Sequence, residues 1–329
     1  MKLVKNLHWG DFKLSSNTKH KPIIFALNSN KPLAEKISAT SGMPLGKSTI
    51  NHFSDGEIKI SIDESIRGDD VYIVQSITNP ANDNLMELLI MIDAVRRTSS
   101  HSINVVIPYY GYSRSTKKTE ARAPITAKLI ASFLQNSAAD RVIALDLHAA
   151  QIQGFFDIPL DHLRTDRLMS EYLHEEHLDD NAVVVAPDHN GVARARNIAD
   201  RLDLPLAIVD NRDPESNTYV PKEIIGDVKG KNAIIIDDMI VTGRKMKVSA
   251  DVLKSAGAKN VYAAVTHPVF SDSALENLSD DNLARIIVTD SIVIPKKFKL
   301  DKLTVLSVGK LIGEALKLIQ NDESTHVLF

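Results

Sequence analysis

The 329 residues contain no cysteine. That excludes disulfides, thiolate metal sites and cysteine nucleophiles, and it fits a reducing, cytoplasmic setting. Charge of one sign is also missing: the net charge is −3 and the pI about 6.4, which gives no electrostatic footprint for nucleic acid or an anionic membrane. No apolar run approaches the roughly 18 residues needed to span a bilayer. The first 20 residues carry Trp9, His8 and scattered lysines without an apolar signal-peptide segment. Fixed-period repeats and low-complexity segments are absent, as is any GxGxxG, which disfavours the usual dinucleotide-binding fold.

What is present is a series of short, nearly all-apolar runs. Ile23–Leu27, Val71–Gln75, Ile103–Ile107, Val142–Leu145, Val183–Ala186, Leu206–Val209, Ala233–Ile236, Val261–Val265, Ile286–Val288 and Thr304–Val308 read as strands. Between them lie helical patterns at Pro32–Ser41, Leu85–Thr98, Ile125–Gln135, Val192–Leu202, Val248–Gly257 and Leu311–Gln320. Alternating strands and helices with continuously apolar strands predict mainly parallel, doubly wound α/β sheets. Ten strands and this length suit two domains, with a boundary near Pro159–Asp166. The expected organisation is an extension over 1–21, one domain over 22–163 and another over 164–329, the last helix able to cross back.

Chemistry concentrates where apolar runs end. Ala233–Ile236 runs into Asp237-Asp238 and then Thr242-Gly243, so carboxylates and a turn fall at a parallel strand's C-terminal edge, where α/β proteins bind ligands. The acidic pair suits a ribose diol or a metal, and the turn suits a phosphate. Arg244 and Lys245, two bulky cations, follow where backbone should approach that phosphate. Asp146 and His148 end one strand, and Asp188, His189 and Asn190 end another; imidazole and carboxylate there suit Mg²⁺ bridging phosphates. Phe53-Ser54-Asp55-Gly56-Glu57 places a ring and two carboxylates around a turn glycine, able to stack on a purine. The loop Tyr109–Pro124 is long and basic, with Arg114, Lys117, Lys118 and Arg122, and Lys128 just beyond. Gly42–Ser48 (GMPLGKS) is one residue short of a nucleotide P-loop and follows a helix, so it reads as a helix cap leading into a strand.

Taken together, FSDGE (53–57), ESIRG (64–68), MELLIMIDA (86–94), VIPYYGYSR (106–114), PITAKLIA (124–131), VIALDLHAAQIQGFFDIP (142–159), APDHNG (186–191), IIIDDM (234–239), THPVFS (266–271) and the final VLF resemble the ribose-phosphate diphosphokinase (PRPP synthetase) family. The resemblance spans 22–329. It implies two phosphoribosyltransferase-like domains assembled as dimers within hexamers. It also implies Mg²⁺-dependent transfer of diphosphate from ATP to ribose 5-phosphate, with phosphate and ADP as regulators. On that resemblance Phe53, Asp55 and Glu57 would contact adenine bound to a neighbouring subunit, and Arg114 the nucleotide. His148 and Asp188 would hold Mg²⁺ and triphosphate. Asp237 and Asp238 would face the ribose hydroxyls, and Thr242 and Gly243 the 5-phosphate. Ser65, Arg67, Ser324 and Phe329 would surround an allosteric phosphate.

The departures from the family pattern fall on chemistry. A catalytic loop that reads Lys-Arg-Arg-Pro-Arg in bacterial members is Asn211-Arg212-Asp213-Pro214-Glu215 here, a change from +4 to −1 that leaves Arg212 as the remnant cation. The 5-phosphate loop, Asp-Thr-Gly/Ala-Gly-Thr in the family, is Val241-Thr242-Gly243-Arg244-Lys245. The lid's Arg-Gln-Asp becomes Arg114-Ser115-Thr116, Asn190 replaces a glycine with a residue that tolerates positive φ, and His326 replaces a serine. Phosphoryl transfer depends on positioned positive charge. The leading expectation is therefore a family member with impaired or absent synthetase activity, assembling with itself and with an active synthetase as a regulatory or associated subunit. The alternatives are a working diphosphokinase and a stand-alone sensor of nucleotide or sugar phosphate.

Overall fold

A computed structural model describes residues 20–210 and 223–329. The first part of the chain runs β1 (Pro22–Ala26), α1 (Lys31–Ser41), β2 (Ser48–His52), β3 (Ile58–Ile62), β4 (Asp70–Val74), α2 (Ala81–Arg97), β5 (Ser102–Ile107), α3 (Thr126–Asn136), β6 (Arg141–Leu145) and β7 (Leu160–Leu163). Its five-stranded sheet has the order β1-β4-β5-β6-β7 and is parallel throughout. β2 and β3 form a separate antiparallel hairpin with His52 opposite Ile58.

The second part runs α4 (Asp166–Glu175), β8 (Ala182–Ala186), α5 (Val192–Leu202), β9 (Leu206–Asp210), β10 (Glu223–Ile225), β11 (Asn232–Ile240), α6 (Arg244–Ser255), β12 (Asn260–Pro268), α7 (Ala274–Leu278), β13 (Arg285–Thr289), β14 (Leu303–Leu306) and α8 (Gly309–Gln320). Its seven-stranded sheet is β10-β9-β8-β11-β12-β13-β14, parallel except for β10 on β9. The mainly parallel α/β architecture expected from the apolar runs is the one observed. No helix among the described residues is long and apolar enough to cross a membrane.

Several expectations need correction. β2, β3, β7 and β10 are strands too short or too polar to stand out as apolar runs, and α4 and α7 also lie outside the expected helical patterns. α6 begins at Arg244, four residues before the expected Val248. Asn190 sits in a short 3-10 turn and is not among the positive-φ residues, so no left-handed backbone had to be accommodated there. Gly42 does cap α1, at φ 73°.

α8 packs on α1, beside the first sheet. Val308, Ile312, Ala315 and Leu316 join Ile24, Leu33, Ile37 and Tyr72 in one buried cluster. The approach is close because α8 presents glycines: a Cβ at Gly313 would lie 2.6 Å from Cβ of Thr40, and one at Gly309 2.6 Å from Cβ of Lys36. Hydrogen bonds also tie the two parts. Asn30 donates to the Asp290 carbonyl at 2.8 Å, Ser76 to the Ser291 carbonyl at 2.7 Å, and Lys36 pairs with Asp290 at 2.7 Å.

Candidate active-site cleft

β11 owes its central place to the run Ala233–Ile236, buried on both faces. The strand does not end at its acids, as the sequence suggested. It continues to Ile240, paired with β12 as far as Pro268, whereas its pairing with β8 stops at Ile235 opposite Val185. Asp237 and Asp238 therefore sit inside a strand with one edge released, only 4% and 2% exposed. Buried carboxylates in that position require partners.

Lys245, Arg194 and the His148 ring supply them. Nζ of Lys245 lies 2.9 Å from Oδ2 of Asp188 and 2.9 Å from Oδ2 of Asp237. Arg194, in the first turn of α5, stands 3.5 Å from Asp238 and 3.9 Å from Asp237. Nδ1 of His148 meets Oδ2 of Asp238 at 2.7 Å. Asp188 also caps a short helical turn: its Oδ1 accepts the backbone N–H groups of Asn190 at 2.9 Å and Gly191 at 3.0 Å.

Protonation states follow from these contacts. Burial works against the charge on Lys245, yet Asp237 and Asp188 raise its pKa well above the usual lysine range. Burial likewise opposes ionisation of Asp188, but Lys245 and two backbone N–H groups hold its carboxyl below the ordinary value. In Asp238 burial is overcome by the His148 hydrogen bond and Arg194, and the carboxyl is lowered. Asp237, pushed up by burial against the pull of Lys245, reaches about 6 and is still chiefly ionised at neutral pH.

His148 reaches this cluster from the first sheet because Asp146 turns the chain at φ 37° just after β6, a conformation that aspartate tolerates better than most residues. The turn is over-determined. The Asp146 carboxylate accepts from the hydroxyls of Thr165 and, at 2.6 Å, Thr266. Leu147 donates its N–H to Nε2 of His162 at 2.9 Å, and Nε2 of His267 lies 3.2 Å from the Asp146 carbonyl. Burial lowers the pKa of both His162 and His267, so both are neutral where they act as props.

Beside the cluster is a cavity of about 250 Å³ lined by Arg114, His148, Asp238, Thr242, Gly243 and Lys245, among others. Gly243 has φ 73°, and a Cβ there would come within 3.0 Å of Leu278 and 3.1 Å of Asn277, so the turn into α6 needs glycine. A larger hollow of about 450 Å³ near Gly226, Val228 and Val252 contains none of the residues that the motifs single out.

The structure thus brings together Arg114, His148, Asp188, Asp237, Asp238, Thr242 and Gly243. Phe53, Asp55 and Glu57 do not line this cleft; they are exposed at the tip of the β2–β3 hairpin, Phe53 by 53%. Ser65 and Arg67 are exposed in the turn after β3, while Ser324 accepts the N–H of His326 at 3.2 Å and Phe329 packs toward α8. Within this chain no hydrogen bond or ion pair among the described residues joins these two pairs. Asn211, Arg212, Asp213 and Glu215 lie outside the described residues.

Sequence reasoning missed two residues of the cluster as carboxylate partners. Arg194 and Lys245 both stand in the first turn of a helix, where the helix dipole disfavours cations. That misplacement was the available signal that each serves a carboxylate nearby.

The implied Mg²⁺ does not fit this arrangement. Both oxygens of Asp188 are engaged, one by backbone and one by Lys245, and Asp238 is held by His148. No group of three or more His, Asp or Glu among the described residues is spaced to hold a metal.

Two mainly parallel α/β sheets whose strand ends converge on a cleft with carboxylates and a strand–turn–helix junction define a protein of the phosphoribosyltransferase-like class. Residues 22–137 match the N-terminal domain of ribose phosphate pyrophosphokinase, and residues 213–329 the phosphoribosyl synthetase-associated domain. A putative ribose-phosphate pyrophosphokinase 2 of Lactiplantibacillus plantarum is 56% identical over 306 residues, 93% of this chain and 95% of its own. A ribose-phosphate pyrophosphokinase of Bacillus cereus is 51% identical over 316 residues, covering 96% and 98%. The crystal structure of phosphoribosylpyrophosphate synthetase from Mycobacterium smegmatis aligns with a TM-score of 0.87 at 38% identity, over 92% of this chain and 99% of that one. The chain belongs to the ribose-phosphate pyrophosphokinase, or PRPP synthetase, family.

Proposed function

We propose that this chain is a family member with impaired or absent synthetase turnover that acts as a regulatory or associated subunit of an active PRPP synthetase. The observation that carries this reading is Lys245, standing where the family's 5-phosphate loop has a threonine and bound to Asp188 and Asp237 at 2.9 Å each. Two carboxylates that would serve metal and ribose are spent on an internal ammonium. The charge reversal over Asn211–Glu215 acts in the same direction, since it removes cations that would steady the diphosphoryl group in transit. The scaffold is meanwhile kept, and the 53–57 hairpin stays outside its own chain's cleft, free to reach adenine in a neighbouring subunit. Homo-oligomers built from dimers, hetero-oligomers with an active synthetase, and ATP, ADP or phosphate as ligands follow from this reading.

One observation favours the alternative of an active diphosphokinase: Arg114, His148, Asp238, Thr242 and Gly243 still line one cavity. The two readings separate in an assay of AMP release from ATP, ribose 5-phosphate, Mg²⁺ and phosphate. The chain alone is expected to fall at least about a hundredfold below the roughly 1–100 s⁻¹ typical of kinases. Mixed with an active family member, it is expected to co-purify and to alter that enzyme's response to phosphate or ADP. Full turnover by the chain alone defeats the proposal, and failure to associate with any active synthetase removes the subunit role.

A further inference from the structure

The strand ends that converge on the cleft bring three carboxylates together, Asp188, Asp237 and Asp238. In such a place a divalent cation ordinarily supplies the compensating charge. Here the compensation is ionic and comes from a side chain of the same polypeptide. Lys245 bridges Asp188 and Asp237, one from the loop after β8 and one from β11, as a bridging metal would. Arg194 adds a second positive charge against Asp237 and Asp238. Lys245 belongs to the first turn of α6, and α6 is anchored by buried Met246, Ala250 and Leu253. Its ammonium is therefore delivered by the fold itself and cannot diffuse away.

We infer that Lys245 is a tethered cation that takes the place of a divalent metal between Asp188 and Asp237, so the cleft is charge-satisfied without metal and excludes divalent ions from these two carboxylates. The ligand class left to the adjoining cavity is a metal-free phosphate or phosphate ester. The inference deepens the reading of impaired turnover and rests on it, but its test requires neither turnover nor a partner.

The test is titration of the purified full chain with Mn²⁺ alone, followed by electron paramagnetic resonance and calorimetry. The wild-type chain is expected to show no saturable Mn²⁺ site that depends on Asp188. K245A is expected to gain one, at least about tenfold tighter than any wild-type binding, because removing a positive charge a few ångströms away leaves two carboxylates facing an open position. Adding D188N to K245A should abolish the gain. K245Q, neutral and of similar length, serves where K245A does not fold. Equal Mn²⁺ affinity in wild type and the Lys245 variants overturns the inference. So does saturable Mn²⁺ binding by the wild-type chain that D188N removes, a comparison that needs no change at Lys245.

Discussion

The hairpin tip at 53–57 and the cleft at the end of β11 handle carboxylates in opposite ways. At the tip, Asp55 does no more than accept the N–H of Glu57 at 3.1 Å, and no hydrogen bond or ion pair among the described residues engages the Glu57 side chain; the Phe53 ring is half exposed. In the cleft, Asp188, Asp237 and Asp238 are each held by at least one cation from their own chain. A surface that leaves its polar groups in water keeps its interaction energy for a partner, whereas a buried carboxylate must find its partner during folding. The contrast separates what the chain can offer outward from what it has consumed in holding itself together.

The largest effect should come from undoing the internal neutralisation. Restoring family residues across both loops (N211K, D213R and E215R with V241D, R244G and K245T) is expected to raise AMP release by about a hundredfold or more. The charge graft at 211, 213 and 215 alone should recover little. Full recovery from that graft would show that Lys245 does not limit the reaction, and the contrast would lose its catalytic meaning.

A smaller effect is expected at the tip. F53A should weaken ATP affinity about tenfold in mixed assemblies with an active synthetase, the loss of one base-stacking contact. The same substitution should leave the stability of the isolated chain within about 0.5 kcal/mol, as for most exposed positions. Unchanged ATP affinity in the mixture would place adenine elsewhere.

K245A tests the other side through stability. It is expected to cost about 1–3 kcal/mol in urea denaturation, below the usual figure for breaking a buried pair because the Lys245 side chain is 38% exposed. A cost no larger than that of F53A would mean that solvent already satisfies Asp188 and Asp237.

The smallest effect concerns the props beneath His148. Burial holds the pKa of His162 and His267 below the usual value. The unfolded chain therefore takes up protons first as pH falls through about 6.5, and stability that is complete above that pH is lost progressively below it. Asp237, raised to about 6, works the opposite way in the same window, so the test is the difference: between pH 8 and pH 5, H162Q should lose less melting temperature at the acid end than the wild type. An identical slope in the variant would assign the acid sensitivity to other groups.

Much of the scaffold was legible because its strands are buried on both faces and read as apolar runs. Ala233–Ile236 and Val142–Leu145 left little choice of structure. β7, with the alternating Leu160-Asp161-His162-Leu163, carries a strand's periodicity in only four residues and was passed over. The start of α6 was misplaced because Arg244 and Lys245 are poor residues for a helix N-terminus, and Gly243 sets the geometry in their stead. The identities of the cleft's carboxylates were readable from their strand-end positions, but their partners were not. Lys245 lies 57 residues from Asp188 in sequence, and only the placement of β8 beside β11 brings them together. No local pattern encodes that sheet order.

The glycine-lined contact between α8 and α1 has a further consequence. The cover for one face of the first sheet is supplied from the opposite end of the described chain, since Tyr72 and Gln320, which share a hydrogen bond, are 248 positions apart. A fragment cut after β7 would carry all five strands of that sheet but lose Val308, Ile312, Ala315 and Leu316 from the cluster that buries Ile24, Leu33 and Tyr72. The first sheet's buried cluster is thus closed by a helix that the chain supplies only after the whole of the second sheet has been laid down.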